Sequence, residues 1–83
     1  MILTELPAFT AAVVTGVTDA HTGDLISNRL RELGFVSGEA VRVVGRGPIG
    51  ADPLLIQIGF TRFALRRSEA ARVTVSVTAE KAA

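Results

Sequence analysis

Apolar residues along this 83-residue chain change period several times, and each change marks an element. Ala11 to Thr18 (A-A-V-V-T-G-V-T) is a β-branched run and predicts a first strand. Ile26, Leu30 and Leu33 fall at i, i+4 and i+7, a one-sided stripe that predicts a helix over about Leu25 to Leu33. Val41 and Val43 then alternate with Arg42 and Val44, and Arg46 continues the outward series of a half-buried second strand. Leu54 to Ile58 (L-L-I-Q-I) is apolar at 54, 56 and 58 and reads as a third strand. Arg62 to Arg66 reads as a fourth, with Phe63 and Leu65 inward, and Val73 to Val77 alternates as a fifth.

The intervening segments supply the breaks. Asp19 to Asp24 has turn chemistry, and either Thr22 or Asp24 suits the helix N-cap. Gly34 suits a left-handed helix stop, because it has no Cβ to clash, and Phe35 beyond it is placed to fold back on Leu30. Ser37-Gly38-Glu39 makes a second turn, and Gly47 to Pro53 is too dense in turn formers to continue a strand. Gly59 to Thr61 is a tight connection, and Arg67 to Ala71 suits a single 3₁₀ turn. Leu3 to Pro7 is a lead-in, and residues 78–83 form a polar and alanine tail expected to fray.

Five short strands at this spacing predict a mainly β fold, a small five-stranded antiparallel barrel over residues 1–77. The 3₁₀ turn before the last strand points to an SH3-like barrel. The helix lies between strands 1 and 2, where it replaces a loop and covers the barrel with its Ile26/Leu30/Leu33 face.

Composition narrows what such a barrel does. The chain has no cysteine, hence no disulfide and no thiolate ligand or nucleophile. No apolar run approaches the ~18–20 residues that span a bilayer, and no basic-then-apolar leader is visible, so a soluble cytoplasmic protein without direct membrane insertion is expected. Nine Lys plus Arg balance eight Asp plus Glu, and the sequence pI is ≈ 8.5. Without Tyr or Trp for stacking, and with one basic cluster at Arg62, Arg66 and Arg67, nucleic-acid binding is not expected. The apolar share of 48% and mean hydropathy of +0.42 are high for so small a domain. Alanine accounts for 12 of those residues, so exposed apolar area is read either as scattered alanine or as an interaction surface.

The candidate chemistry is sparse. His21 is the sole histidine, flanked by Asp19 and Asp24, and the three are weak candidates for a divalent ion because they are also ordinary turn and cap residues. The glycines of Gly45-Arg46-Gly47-Pro48-Ile49-Gly50 have dinucleotide-like spacing but lead into a turn and strand, so no helix N-terminus receives a phosphate. Ser27 or Ser37 with His21 forms a relay only on paper, and neither an enzyme nor a resident cofactor is expected. Recognition of proline-rich peptides needs an aromatic groove, whereas the four Phe are mostly expected in the core. Arg42, Arg46, Arg62 and Arg66 fall on outward positions, as a solvated face or one that meets an acidic partner.

Taken in order, these pieces resemble the ferrous iron transport protein A family over about Leu3 to Val77. The resemblance rests on Leu6-Pro7, Arg29-Leu30 with Glu32-Leu33-Gly34-Phe35, and Ser37-Gly38. It continues through Pro48-Ile49-Gly50, Asp52-Pro53, Ala64-Leu65-Arg66-Arg67, Glu69-Ala70 and Val73-x-Val75. Two departures stand out: Ala51 separates Gly50 from Asp52 where the family has Gly-Asp-Pro contiguous, and a glycine often found shortly after Leu-Pro is absent from Ala8-Phe9-Thr10. The resemblance implies a small cytoplasmic accessory of the membrane ferrous iron transporter, acting on its GTP-binding portion. It also extends to the C-terminal domain of iron-dependent repressors, which makes a metal-responsive regulatory domain the alternative. The expected partner surface comprises Leu25 and Arg29 on the helix with Ile49 and Asp52 at the loop tip, and weak self-association is left open.

Overall fold

Most breaks in periodicity become turns or helix ends in the computed structural model, which describes residues 1–50 and 52–78. A 3₁₀ turn at Leu3–Glu5 precedes β1 (Ala12–Val17), α1 (Leu25–Leu33), β2 (Ala40–Ile49), β3 (Asp52–Ile58), β4 (Thr61–Leu65), α2 (Arg67–Ala70) and β5 (Val73–Val77). The strands form one antiparallel sheet in the order β4-β3-β2-β1-β5. β1 pairs only Ala12 and Val13 with β2, but runs against β5 from Ala12↔Val77 to Val17↔Val73. That short shared ladder lets the sheet curl into an SH3-like barrel, with α1 in the β1–β2 connection.

Alternation puts Val14, Val43, Leu54, Ile56 and Val73 on the inner face with Leu3, Leu6 and Phe35, all fully buried. Each such side chain contributes about 1.5–3 kcal/mol by leaving water. Phe35 also faces Phe63, ring centroids 6.0 Å apart, which ties the residue after the Gly34 cap to β4.

α1 has the bounds its caps dictate. The Asp24 side chain accepts from the N–H groups of Ile26 and Ser27, which rules in Asp24 over Thr22 as N-cap. Gly34 is left-handed at φ 112°, its N–H donates to Arg31 O, and Phe35 N–H donates to Leu30 O, a Schellman closure. The buried face differs from the apolar stripe, however. Leu30 is buried and Leu33 half-buried, but Ile26 is 37% exposed and Ser27 is buried instead. Ser27 Oγ lies 2.8 Å from Thr18 O, so a small hydroxyl brings the helix N-terminus close to β1 where a larger apolar side chain would hold it off.

Four further expectations change. β2 does not stop at Arg46 but continues through Gly47 and Pro48 to Ile49, because register shifts after Val43 and after Arg46 absorb the turn-forming residues as bulges. The Arg67 segment is a one-turn α-helix and not a 3₁₀ turn, since Ala70 and Ala71 N–H groups reach back four residues to Arg66 O and Arg67 O. Phe35 is buried and Phe63 half-buried, but Phe9 is 68% exposed at φ 63° and Phe60 is fully exposed on a two-residue turn after Gly59. Thr78 is held, its N–H donating to Ala11 O; the rest of the expected frayed tail, and Ala51 at the loop tip, lie outside the described residues.

Candidate functional site

The residues with most chemical potential meet at the start of α1. Asp24, 2% exposed, is the hub. Its Oδ1 accepts from Ile26 N–H at 3.0 Å and Ser27 N–H at 3.3 Å. Its Oδ2 accepts from Ala20 N–H at 2.8 Å and from Arg72 Nε at 2.7 Å, with Ser27 Oγ 3.0 Å away. The Arg72 guanidinium, then the Ala20 N–H, holds the Asp24 carboxyl well below the usual carboxylate range; burial opposes this and the Ser27 bonds add to it. Arg72 Nη1 also donates to Ser68 O, so one guanidinium joins α1, α2 and the entry to β5.

The weak metal candidates are not brought together. Asp24 spends both oxygens on the cap and on Arg72, and Asp19 pairs with Arg31 at 3.0 Å. His21 is exposed, with Nδ1 3.1 Å from Thr22 O. Among the described residues no three of His, Cys, Asp and Glu are grouped to hold an ion. No helix among them is long and apolar enough to cross a membrane.

The expected partner residues lie elsewhere, around one corner of the barrel. Between α1 and β4 runs a groove of about 490 Å³, walled on the helix side by Ile26, Arg29, Leu30 and Leu33 and on the strand side by Phe63, Ala64 and Leu65. Pro53, Arg66 and Glu69 complete its lining, and Pro53 and Arg66 also border a shallow depression with Ile49 and Asp52. Arg29 and the loop tip are therefore neighbours across Pro53 and Arg66. Leu25 lines neither hollow; it is 80% exposed one turn before Arg29, on the same side of α1. Ile49 is 81% exposed, and Asp52 Oδ1 accepts from Arg67 N–H at 3.1 Å while Arg67 Nη1 donates to Gly50 O, which fixes the hairpin tip to α2.

Sequence reasoning missed two participants. Arg72 is 48 residues from Asp24, and nothing local signals their pairing. Phe60 falls among the four Phe mostly expected in the core, although its place between Gly59 and Thr61 in a turn is the signal that it projects outward. Of the outward arginines, Arg46 is tethered through Nη2 to Leu6 O and Arg62 through Nε to Gln57 Oε1.

This arrangement holds a rigid helix and hairpin tip beside an open groove, which suits contact with another macromolecule. The comparisons agree in kind. The FeoA domain model matches residues 1–77. The chain is 63% identical to FeoA of Stenotrophomonas maltophilia, covering 92% of this chain and 89% of that one at a TM-score of 0.85. That protein was solved with zinc and is described as a prokaryotic SH3 domain protein and candidate ferrous iron transport activating factor. FeoA of Chlorobium tepidum is 34% identical, with 99% and 74% coverage and a TM-score of 0.82. Iron(II) transport protein A of Clostridium thermocellum is 29% identical at a TM-score of 0.80, and this chain covers 94% of its own length but 46% of that protein. A comparison with curated proteins returned no match.

Proposed function

The chain belongs to the FeoA domain family, and from that premise we propose that it is a non-enzymatic cytoplasmic accessory of ferrous iron uptake. In this reading it binds the cytoplasmic GTP-binding portion of the membrane ferrous iron transporter through Leu25, Arg29, Ile49 and Asp52. The observation that carries it is the division of labour in the fold. Asp19 and Asp24, the carboxylates beside His21, are engaged in ion pairs, whereas the large apolar residues Leu25 and Ile49 stand in solvent beside Arg29. Exposed apolar side chains on rigid elements are what an interface uses as anchors, and a neighbouring cation adds register and association rate.

The test is a pull-down of the transporter's cytoplasmic GTP-binding domain by the purified chain, with and without guanine nucleotide. Capture that Arg29→Glu and Leu25→Asp each weaken, in variants whose circular dichroism matches the parent, supports this surface. Undiminished capture by both refutes it. A His21→Ala variant separates the regulatory alternative, since an adaptor keeps its partner without that imidazole.

A further inference from the structure

The groove beside α1 has a second wall that is a strand edge. β4 pairs with β3 alone, from Leu54↔Leu65 to Ile58↔Thr61, and ends the sheet. The two-residue turn at Gly59-Phe60 makes Ile58 and Thr61 the hydrogen-bonded closing pair, so Thr61, Phe63 and Leu65 turn their backbone groups toward β3. Arg62 and Ala64 then turn their N–H and C=O groups away from the sheet, and among the described residues neither has a backbone partner there. Side chains of consecutive strand residues point to opposite faces, yet Phe63, Ala64 and Leu65 all line the groove. The groove therefore runs along the backbone edge of β4. The opposite sheet end differs: β5 has Met1 O accepting from Val75 N–H and Ile2 bridged to Thr74.

Charge selects the occupant. The ion pairs among the described residues are Arg31–Asp19 and Arg72–Asp24, so Arg29 and Arg66 on the two sides of the groove have no carboxylate within 4.0 Å. Glu69, also in the lining, accepts from Arg66 N–H. Two copies of β4 pairing edge to edge would bring Arg62 and Arg66 of one against the same cations of the other, which disfavours self-pairing. The same cations favour an incoming strand with carboxylates. We infer that β4 accepts an extended acidic segment of another protein as a sixth strand, with alternate apolar side chains on Ile26 and Leu33 and, on its opposite face, carboxylates beside Arg62 and Arg66. This inference rests on the strand edge and the charges, and does not depend on the iron-transport reading.

The test uses the full chain, ¹⁵N-labelled at pH 7, and an end-blocked octapeptide of alternating Val and Glu as probe. Binding should slow hydrogen exchange at the Arg62 and Ala64 amides, while the Phe63 and Leu65 amides, already bonded to β3, change little. Methylating alternate peptide nitrogens should weaken binding about tenfold or more by deleting edge bonds. Ala64→Pro should do the same, because proline is tolerated where the lost N–H faces outward on an edge strand. If that variant does not fold, the N-methylated peptide still decides. A Val-Lys octapeptide that binds equally well, peptide binding without protection at 62 and 64, or protection that rises with protein concentration in the absence of peptide would each overturn the inference.

Discussion

Gly34 isolates the energetic cost of a single backbone angle. It sits at φ 112° after α1, and a Cβ built on it would meet no atom within 4 Å. Gly34→Ala therefore adds no collision and removes no contact; it only forces a residue with a Cβ into a left-handed conformation. That costs about 1–2 kcal/mol, and more for a branched side chain, so Gly34→Val should exceed Gly34→Ala. For a domain of this size each kcal/mol lowers Tm by about 4–8 °C, so the alanine variant should melt roughly 4–16 °C below the parent. With a urea m-value on the order of 1 kcal/mol/M, the midpoint should fall by about 1–2 M. Gly16→Ala is the matched control. Gly16 lies outside the left-handed range, and its built Cβ would sit 3.7 Å from Thr74 Oγ1, an ordinary contact. Restricting the unfolded chain there should leave stability unchanged or raise it by about 0.4–1 kcal/mol. Thermal and urea melts of the three variants check the argument. Parent-like melting of Gly34→Ala, or an equal loss at Gly16→Ala, would refute it.

Three other outcomes follow from the structure. Gly47→Ala should cost about 1–3 kcal/mol or more by thermal melt, because its Cβ would press on the backbone of Asp52 and come 2.8 Å from Pro53 Cδ, forcing β2 and β3 apart. The Asp24 carboxyl is held below its unfolded value, so its contribution to stability is complete above roughly pH 4 and is lost as pH falls further; urea midpoints against pH should show this acid limb in the parent and a flatter one in Asp24→Asn. Phe60→Ser should change stability by less than about 0.5 kcal/mol in the same melts, since the ring is fully exposed.

What could be read in advance was the local part. The bounds of α1 were legible, with Thr22 and Asp24 both open as N-cap, because caps such as Asp24 and Gly34 act through bonds to residues within a few positions. β3, β4 and β5 were legible because alternation meets a single buried face. The end of β2 was not: Gly47 and Pro48 break a regular ladder, but bulges in the hairpin accommodate them, and a bulge depends on the partner strand. Ile26 and Ser27 exchanged roles for a similar reason. Hydropathy ranks isoleucine inward, yet the hydroxyl has Thr18 O to bond and fits where the helix approaches β1 most closely. For the site, helical spacing put Leu25 off the expected stripe but left open whether it faced solvent or the core, and its 80% exposure is a finding of the tertiary structure. The juxtaposition of Arg29 with the hairpin tip needed the tertiary fold, because Pro53 and Arg66, which join them, come from β3 and from the N-cap of α2.

The polar ties of α1 explain why the groove lies on the β4 side. Ser27 bonds Thr18 O, Arg31 Nη2 donates to Val17 O at 2.9 Å and pairs with Asp19, and Asp24 pairs with Arg72 just before β5. All of these pull the helix toward β1 and β5. Among the described residues no side-chain hydrogen bond or ion pair runs from α1 to β4, and apolar packing that includes Leu30, Leu33, Phe35 and Phe63 joins them instead. A helix fastened along one side and merely packed along the other leaves its free side as a cleft. That cleft is bordered by a strand whose Arg62 and Ala64 backbone groups are unpaired among the described residues, and by Arg29 and Arg66. The carboxylates that resemble metal ligands thus act by position: in fixing α1 to β1 and β5, Asp19 and Asp24 determine where the groove opens and where Arg29 stands beside it.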